Sequence, residues 1–139
     1  MTTYDFVGKN VPRVDANVKV TGEARFTTDV RLPNMLWGRM LRSPLPHAKI
    51  LNIDTSKAEQ LVGVKAVITG RETPFIFGVS HMDQTPLQTE KVRYVGDTVA
   101  AVAAVNLDIA LEALDLIQVD YEPLPAGFDP EEAMQEGAP

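Results

Sequence analysis

Residues 91–117, KVRYVGDTVAAVAAVNLDIALEALDLI, place two apolar runs, a turn and an amphipathic helix in direct succession. The runs at 91–95 and 98–105 are separated by Gly96 and Asp97, a dipeptide typical of tight turns. The two runs are therefore predicted either to pair or to meet at a tight corner. Because the second run is apolar on both faces, it is predicted to be a strand in the middle of the sheet.

The last part of this stretch predicts the clearest helix of the chain. Asn106 is a favourable N-cap residue, and Asp108 lies near the positive end of the helix dipole. Apolar residues then recur at spacings of three and four, which gives the helix one apolar face; they are Leu107, Ala110, Leu111, Leu114 and Ile117.

The flanking sequence predicts shorter elements. Alternating or β-branched runs predict strands at 36–42, 49–53, 64–69 and 119–124. Ser56 and Glu59 match a capping box, which predicts a short helix at 56–61, and Asp129 with Pro130 predicts a further helix start. Residues 71–90 contain two prolines and no sustained period, and are predicted to be a long loop.

The N-terminal residues 1–30 are predicted to be an extended arm of the same domain, with at most brief strands at 18–20 and 24–27. The remainder, 31–139, carries the strands and helices named above. The predicted fold class is therefore α+β, with a mixed β-sheet, two main helices and an extended N-terminal arm.

The composition of the chain excludes several classes of function. The chain has 139 residues, 45% of them hydrophobic, which is typical of one folded domain. Its net charge of -6 has the wrong sign for a nucleic-acid-binding protein. The absence of cysteine excludes disulfides, thiolate metal sites and a thiol nucleophile, and favours a cytoplasmic location. The longest apolar run, 99–105, is too short to span a bilayer, and no signal peptide is evident at the N-terminus.

No group of residues predicts catalysis. His47 and His81 have no carboxylate at ligand spacing, and the sequence lacks the motifs of serine hydrolases, NTPases and dinucleotide enzymes. No catalytic, cofactor-binding or metal-binding residue is therefore assigned. The candidate functional residues are interface residues: Phe6, Phe26, Arg42, His47, Phe75 and Phe77.

As a whole, the sequence resembles the N-terminal a/b hammerhead domain of the molybdenum-hydroxylase large subunit, the family of xanthine dehydrogenase and aldehyde oxidase. The resemblance covers nearly the whole chain. It is carried by Gly8, Pro12, Arg13, Asp15 and Asp29, and by residues 19–26 (KVTGEARF), 42–44 (RSP), 47–48 (HA), 63–64 (GV), 66–67 (AV), 92–102 (VRYVGDTVAAV) and 119–125 (VDYEPLP). Residues 72–79 (ETPFIFGV) look similar to the 4-hydroxybenzoyl-CoA reductase branch.

The resemblance implies a structural and interface domain that is inactive in isolation. It places the molybdopterin-binding region after this domain and absent from this chain, with iron-sulfur clusters and FAD in other domains or subunits. Those regions are then the expected partners, and an isolated chain is expected to self-associate or to be disordered at its exposed aromatic residues.

An alternative hypothesis is a biotinyl- or lipoyl-like carrier, because residues 96–99 (GDTV) are similar to a turn in such domains. The carrier needs an acceptor lysine at a hairpin tip, whereas Lys65 lies in a predicted strand.

Overall fold

The computed structural model describes residues 4–139, and the chain divides into two compact units between Pro33 and Asn34. The first unit contains one short helix, α1 (Ala16–Val20), and a 3-10 turn, Thr27–Asp29. The prediction of brief strands at 18–20 and 24–27 is therefore wrong.

Local ionic and hydrogen-bonding contacts explain that outcome. The Asp15 carboxylate forms ion pairs with Lys19 one helical turn later and with Arg13, at 2.5 and 3.1 Å, and these partners lower the pKa of Asp15. At the 3-10 turn, the Asp29 carboxylate accepts a hydrogen bond from the Phe26 amide at 2.9 Å. Such contacts between nearby residues compete with an extended backbone.

The second unit contains six strands and three helices. They are β1 (Trp37–Arg42), β2 (Ala48–Asp54), α2 (Ser56–Gln60), β3 (Val64–Thr69), β4 (Lys91–Val92), β5 (Thr98–Ala104), α3 (Leu107–Leu116), β6 (Gln118–Pro123) and α4 (Pro130–Ala133). The α+β class is confirmed. No helix within residues 4–139 has the length and hydropathy needed to cross a bilayer.

The strands form two three-stranded sheets, in the orders β1-β5-β3 and β4-β2-β6, and their pairings are antiparallel. Strand β5 lies in the middle of the first sheet, as predicted. One face of that sheet is covered by α2 and α3 through a core of small side chains. Because Ala100, Ala110 and Ala113 are fully buried there, the helix backbone packs closely on the sheet.

The structure confirms two of the three N-terminal helix caps that the sequence predicts. The Asn106 side chain accepts from the Ile109 amide at 2.8 Å, and Asp129 caps α4, so both predicted caps are confirmed. The predicted Ser56–Glu59 capping box is wrong, because Ser56 is already the first helical residue. Its amide donates to Asp54 instead, at 3.0 Å.

Residues 93–97 form the corner between the two sheets, which rules out a hairpin of β4 and β5. Strand β4 stops at Val92 and pairs with β2, whereas β5 pairs with β1 and β3. Gly96 adopts a φ of 93°, a left-handed conformation that favours glycine, and the Asp97 amide donates to the Tyr94 carbonyl at 3.1 Å.

The Asp97 side chain holds this corner together. Its carboxylate is 1% exposed and accepts from the Arg93 amide at 3.0 Å, the Thr98 amide at 3.0 Å and the Gln88 side-chain amide at 3.2 Å. The backbone adds two more contacts, from Ser43 N to Asp97 O and from Gly96 N to Ser43 O, both at 2.8 Å. The corner is thereby tied to the end of β1.

Replacing Asn106 by Ala should lower the free energy of unfolding by about 1 kcal/mol, because the Ile109 amide loses its acceptor at the start of α3. Asp115→Ala, at an exposed position near the other end of the same helix, is the control and should change it by less than about 0.5 kcal/mol. Urea unfolding followed by circular dichroism measures both. Equal effects would contradict the capping role.

Asp97→Asn should lower the free energy of unfolding by about 2 kcal/mol, because the new amide NH2 must face an N–H donor whichever way it is turned. Asp120→Asn makes the same chemical change at an exposed position of β6 and should be nearly neutral. A stable Asp97→Asn variant in the same urea experiment would contradict the account of the corner.

Candidate interface

The four phenylalanines predicted as interface residues are exposed. Phe6 and Phe26 lie in the first unit, and Phe75 and Phe77 lie in the loop between β3 and β4 of the second. An isolated bridge between Phe77 and Gln84 closes the loop, with amide-to-carbonyl distances of 2.8 and 3.0 Å. Phe77 therefore lies at the base of a closed backbone turn, and Phe75 lies just before it.

The two polar candidates have structural partners. The Arg42 guanidinium donates to the Gly96 carbonyl at 2.8 Å, and it stays exposed. The half-buried His47 ring contacts the Pro125 carbonyl through Nδ1. Arg42 thus connects the end of β1, and His47 the segment before β2, to other parts of the second unit.

A larger apolar surface escaped the sequence analysis: the face of the β1-β5-β3 sheet opposite the helices. Residues paired across antiparallel strands share a face, and the registers Gly38 with Ala103, Met40 with Ala101, Ala66 with Ala103 and Ile68 with Ala101 define it. We call this surface the outer sheet face. Met40 is 50% exposed and Ile68 is 37% exposed there.

The outer sheet face could have been anticipated only in part. Strand β5 was predicted to lie in the middle of a sheet because it is apolar on both faces. That pattern accounts for the outward positions Ala101 and Ala103 as well as for the inward ones. It cannot show that helices cover one face and leave the other open.

A cleft of about 580 Å³ lies on the second unit beside the corner. Its walls come from the segments before β2, around β4 and after β6. The lining residues are Pro46, His47, Lys91, Arg93, Tyr94, Val95, Pro125, Ala126, Gly127, Phe128 and Pro139. The negative charge of Asp97 raises the pKa of the Tyr94 hydroxyl, so this group stays protonated at neutral pH.

Residues 4–139 contain no cluster of three or more His, Asp or Glu side chains suited to a metal, and the sequence has no cysteine. They also leave no buried side-chain polar atom without a partner. The carrier hypothesis requires an acceptor lysine at a hairpin tip, whereas Lys65 lies within β3.

Comparisons with known proteins match this chain to one part of longer proteins. A probable xanthine dehydrogenase subunit of Bacillus subtilis is 47% identical over 128 residues, covering 91% of this chain and 17% of that protein. The nicotinate dehydrogenase large molybdopterin subunit of Eubacterium barkeri is 41% identical, covering 98% of this chain and 32% of that protein. The chain thus spans less than a third of either relative.

A solved structure is also similar to this chain. Reconstituted CO dehydrogenase from Oligotropha carboxidovorans superposes with a TM-score of 0.88 at 39% identity, covering 95% of this chain and 17% of that one. The family model for the aldehyde oxidase and xanthine dehydrogenase a/b hammerhead domain matches residues 21–125. The chain therefore belongs to this family, as the hammerhead domain of a molybdenum-hydroxylase large subunit.

Proposed function

We propose that this chain serves as a structural docking domain of a molybdenum hydroxylase, and that it has no catalytic activity of its own. The observation that carries the proposal is the outer sheet face, an apolar sheet surface that no helix of the second unit covers. A surface of this kind marks a site of protein contact. The small residues Gly38, Ala101 and Ala103 would let a partner approach the sheet backbone closely.

The partner in this proposal is the molybdopterin-binding region of the same enzyme. Two relatives are named for molybdenum or molybdopterin, and each is much longer than this chain. Iron-sulfur clusters and FAD would then lie in further domains or subunits. An isolated chain would expose the outer sheet face and the aromatic loop, which favours self-association.

The proposal also covers the substrate class and the cellular location of the enzyme. Residues 72–79 support a 4-hydroxybenzoyl-CoA reductase-like enzyme, whereas the relatives described above are named for xanthine, nicotinate and carbon monoxide. The assignment to that branch therefore depends on this loop alone. The absence of cysteine supports a cytoplasmic enzyme.

The chain should form a stoichiometric complex with the remainder of the Bacillus subtilis relative, expressed without its own equivalent segment. The double variant Met40→Glu/Ile68→Glu should weaken this complex at least about tenfold, because two charges would be buried without partners. Co-elution and calorimetric titration measure the association.

Two controls make this experiment decisive. Leu51→Glu/Val62→Glu introduces the same charges at exposed apolar positions away from the outer sheet face, and it should bind like the unmodified chain. The relative's own segment is the positive control. The proposal is wrong if that segment binds and this chain does not, or if the Met40→Glu/Ile68→Glu variant binds normally.

The purified chain should contain no molybdenum and should reduce no dye with purines, aldehydes or aromatic CoA thioesters. The reason is that its described residues provide neither a metal-binding cluster nor a combined nucleophile and base. Elemental analysis and dye reduction test this expectation. Near-stoichiometric molybdenum or turnover by the chain alone would contradict it.

A further inference from the structure

The cleft beside the corner combines features of a binding site that the docking role of the outer sheet face does not require. We infer that it binds an extended acidic polypeptide segment of the surrounding enzyme, one that carries carboxylates next to apolar side chains. This inference rests on the proposed function, because the segment would belong to the enzyme of which this chain is a domain.

The first argument is the placement of two cations. Val92 is fully buried in the core of the β4-β2-β6 sheet, so its neighbours Lys91 and Arg93 point away from that core, and both line the cleft. Residues two apart on an extended backbone lie about 7 Å apart on the same side. Two carboxylates at alternate positions of an extended segment have the same spacing.

The second argument is charge. The ion pairs found in residues 4–139 join Asp15 with its two partners and Lys49 with Glu122, and none involves Lys91 or Arg93. The cleft lining contains no acidic side chain, although the chain has 19 acidic residues and only 13 Lys and Arg. A pair of cations without an ion-pair partner among the described residues is complementary to an anionic partner.

The neighbouring polar groups do not form ion pairs with these two cations. The Asp97 carboxylate lies behind the cleft, is buried, and accepts hydrogen bonds from the Arg93 and Thr98 backbone amides. The Arg93 guanidinium makes only long contacts, at 3.4 and 3.5 Å, to neutral oxygens of Gln88 and Lys91. Tyr94 remains a neutral hydroxyl at neutral pH, so it does not repel a carboxylate.

The third argument favours a polypeptide over a small anion as the ligand of the cleft. Phe128 lines the cleft and is 82% exposed, and Val95 beside it is also exposed. A small anion held by Lys91 and Arg93 would leave both apolar side chains in water. A peptide with apolar residues next to its carboxylates would cover them, which adds a hydrophobic contribution to binding.

The test uses the full 139-residue chain, labelled with ¹⁵N, and two blocked peptides. One is Leu-Glu-Leu-Asp-Leu, and the other is its neutral analogue Leu-Gln-Leu-Asn-Leu. The acidic peptide should shift the amide resonances of residues 91–95 and 126–128, and its affinity should fall as sodium chloride rises from about 20 to about 500 mM. The neutral peptide should bind at least about tenfold more weakly.

Variants assign the binding to the cleft. Lys91→Gln/Arg93→Gln should lose at least about tenfold in affinity for the acidic peptide. Lys57→Gln/Lys65→Gln removes the same charge from exposed positions on α2 and β3 and should bind normally. Phe128→Ser, at a position too exposed to affect folding, should also weaken binding.

Several results would overturn the inference: equal binding of the two peptides, shifts located elsewhere, no binding at all, or the same shifts with acetate or inorganic phosphate at equal concentration. These outcomes are separate from failure of the proposed function. If the peptide does not bind but the chain still forms the complex with the Bacillus remainder, only the cleft inference fails. If the peptide binds but no complex forms, the docking role fails.

Discussion

A carboxylate buried at the corner between two sheets is the interaction on which the second unit depends. The Asp97 carboxylate accepts hydrogen bonds from the loop before β4, from the turn itself and from the start of β5. A buried carboxylate without such donors would be strongly unfavourable, so the corner forms with all of them in place or not at all. Its geometry sends β4 into one sheet and β5 into the other.

This corner also determines where the two proposed binding surfaces lie. Strand β5 leaves it and becomes the centre of the sheet whose open side is the outer sheet face. Lys91 of β4 and residues 93–95 of the corner form one wall of the cleft. The domain therefore has an apolar surface on one sheet and a cleft lined by two cations, and we propose that each contacts a different part of a larger enzyme.

Much of this fold could be predicted from local patterns. Strand β3, the helix capped by Asn106 and the central position of β5 each follow from a short stretch of sequence with a strong periodicity or cap.

The sequence left the arrangement at the corner open between a hairpin and a turn between two sheets, because the Gly96-Asp97 dipeptide fits both. The choice depends on burial of the Asp97 side chain, which involves Gln88, nine residues away. Sequence reasoning missed the outer sheet face. Strand β5 has alanines on both of its sides, Ala101 and Ala103 on the open side and Ala100 and Ala104 on the covered side, so its composition cannot distinguish them. The cationic cleft requires Lys91 and Arg93 to come together with Phe128, which is distant in sequence.

The most direct measurement of the central claim, that this chain is a docking domain, is hydrogen exchange of the chain alone and in complex with a molybdopterin-binding region. The account predicts that amides of β1, β3 and residues 91–95 exchange more slowly in the complex, whereas those of β5 and α3 are already protected in the free chain. Unchanged exchange at β1, β3 and residues 91–95 in a demonstrated complex would contradict it.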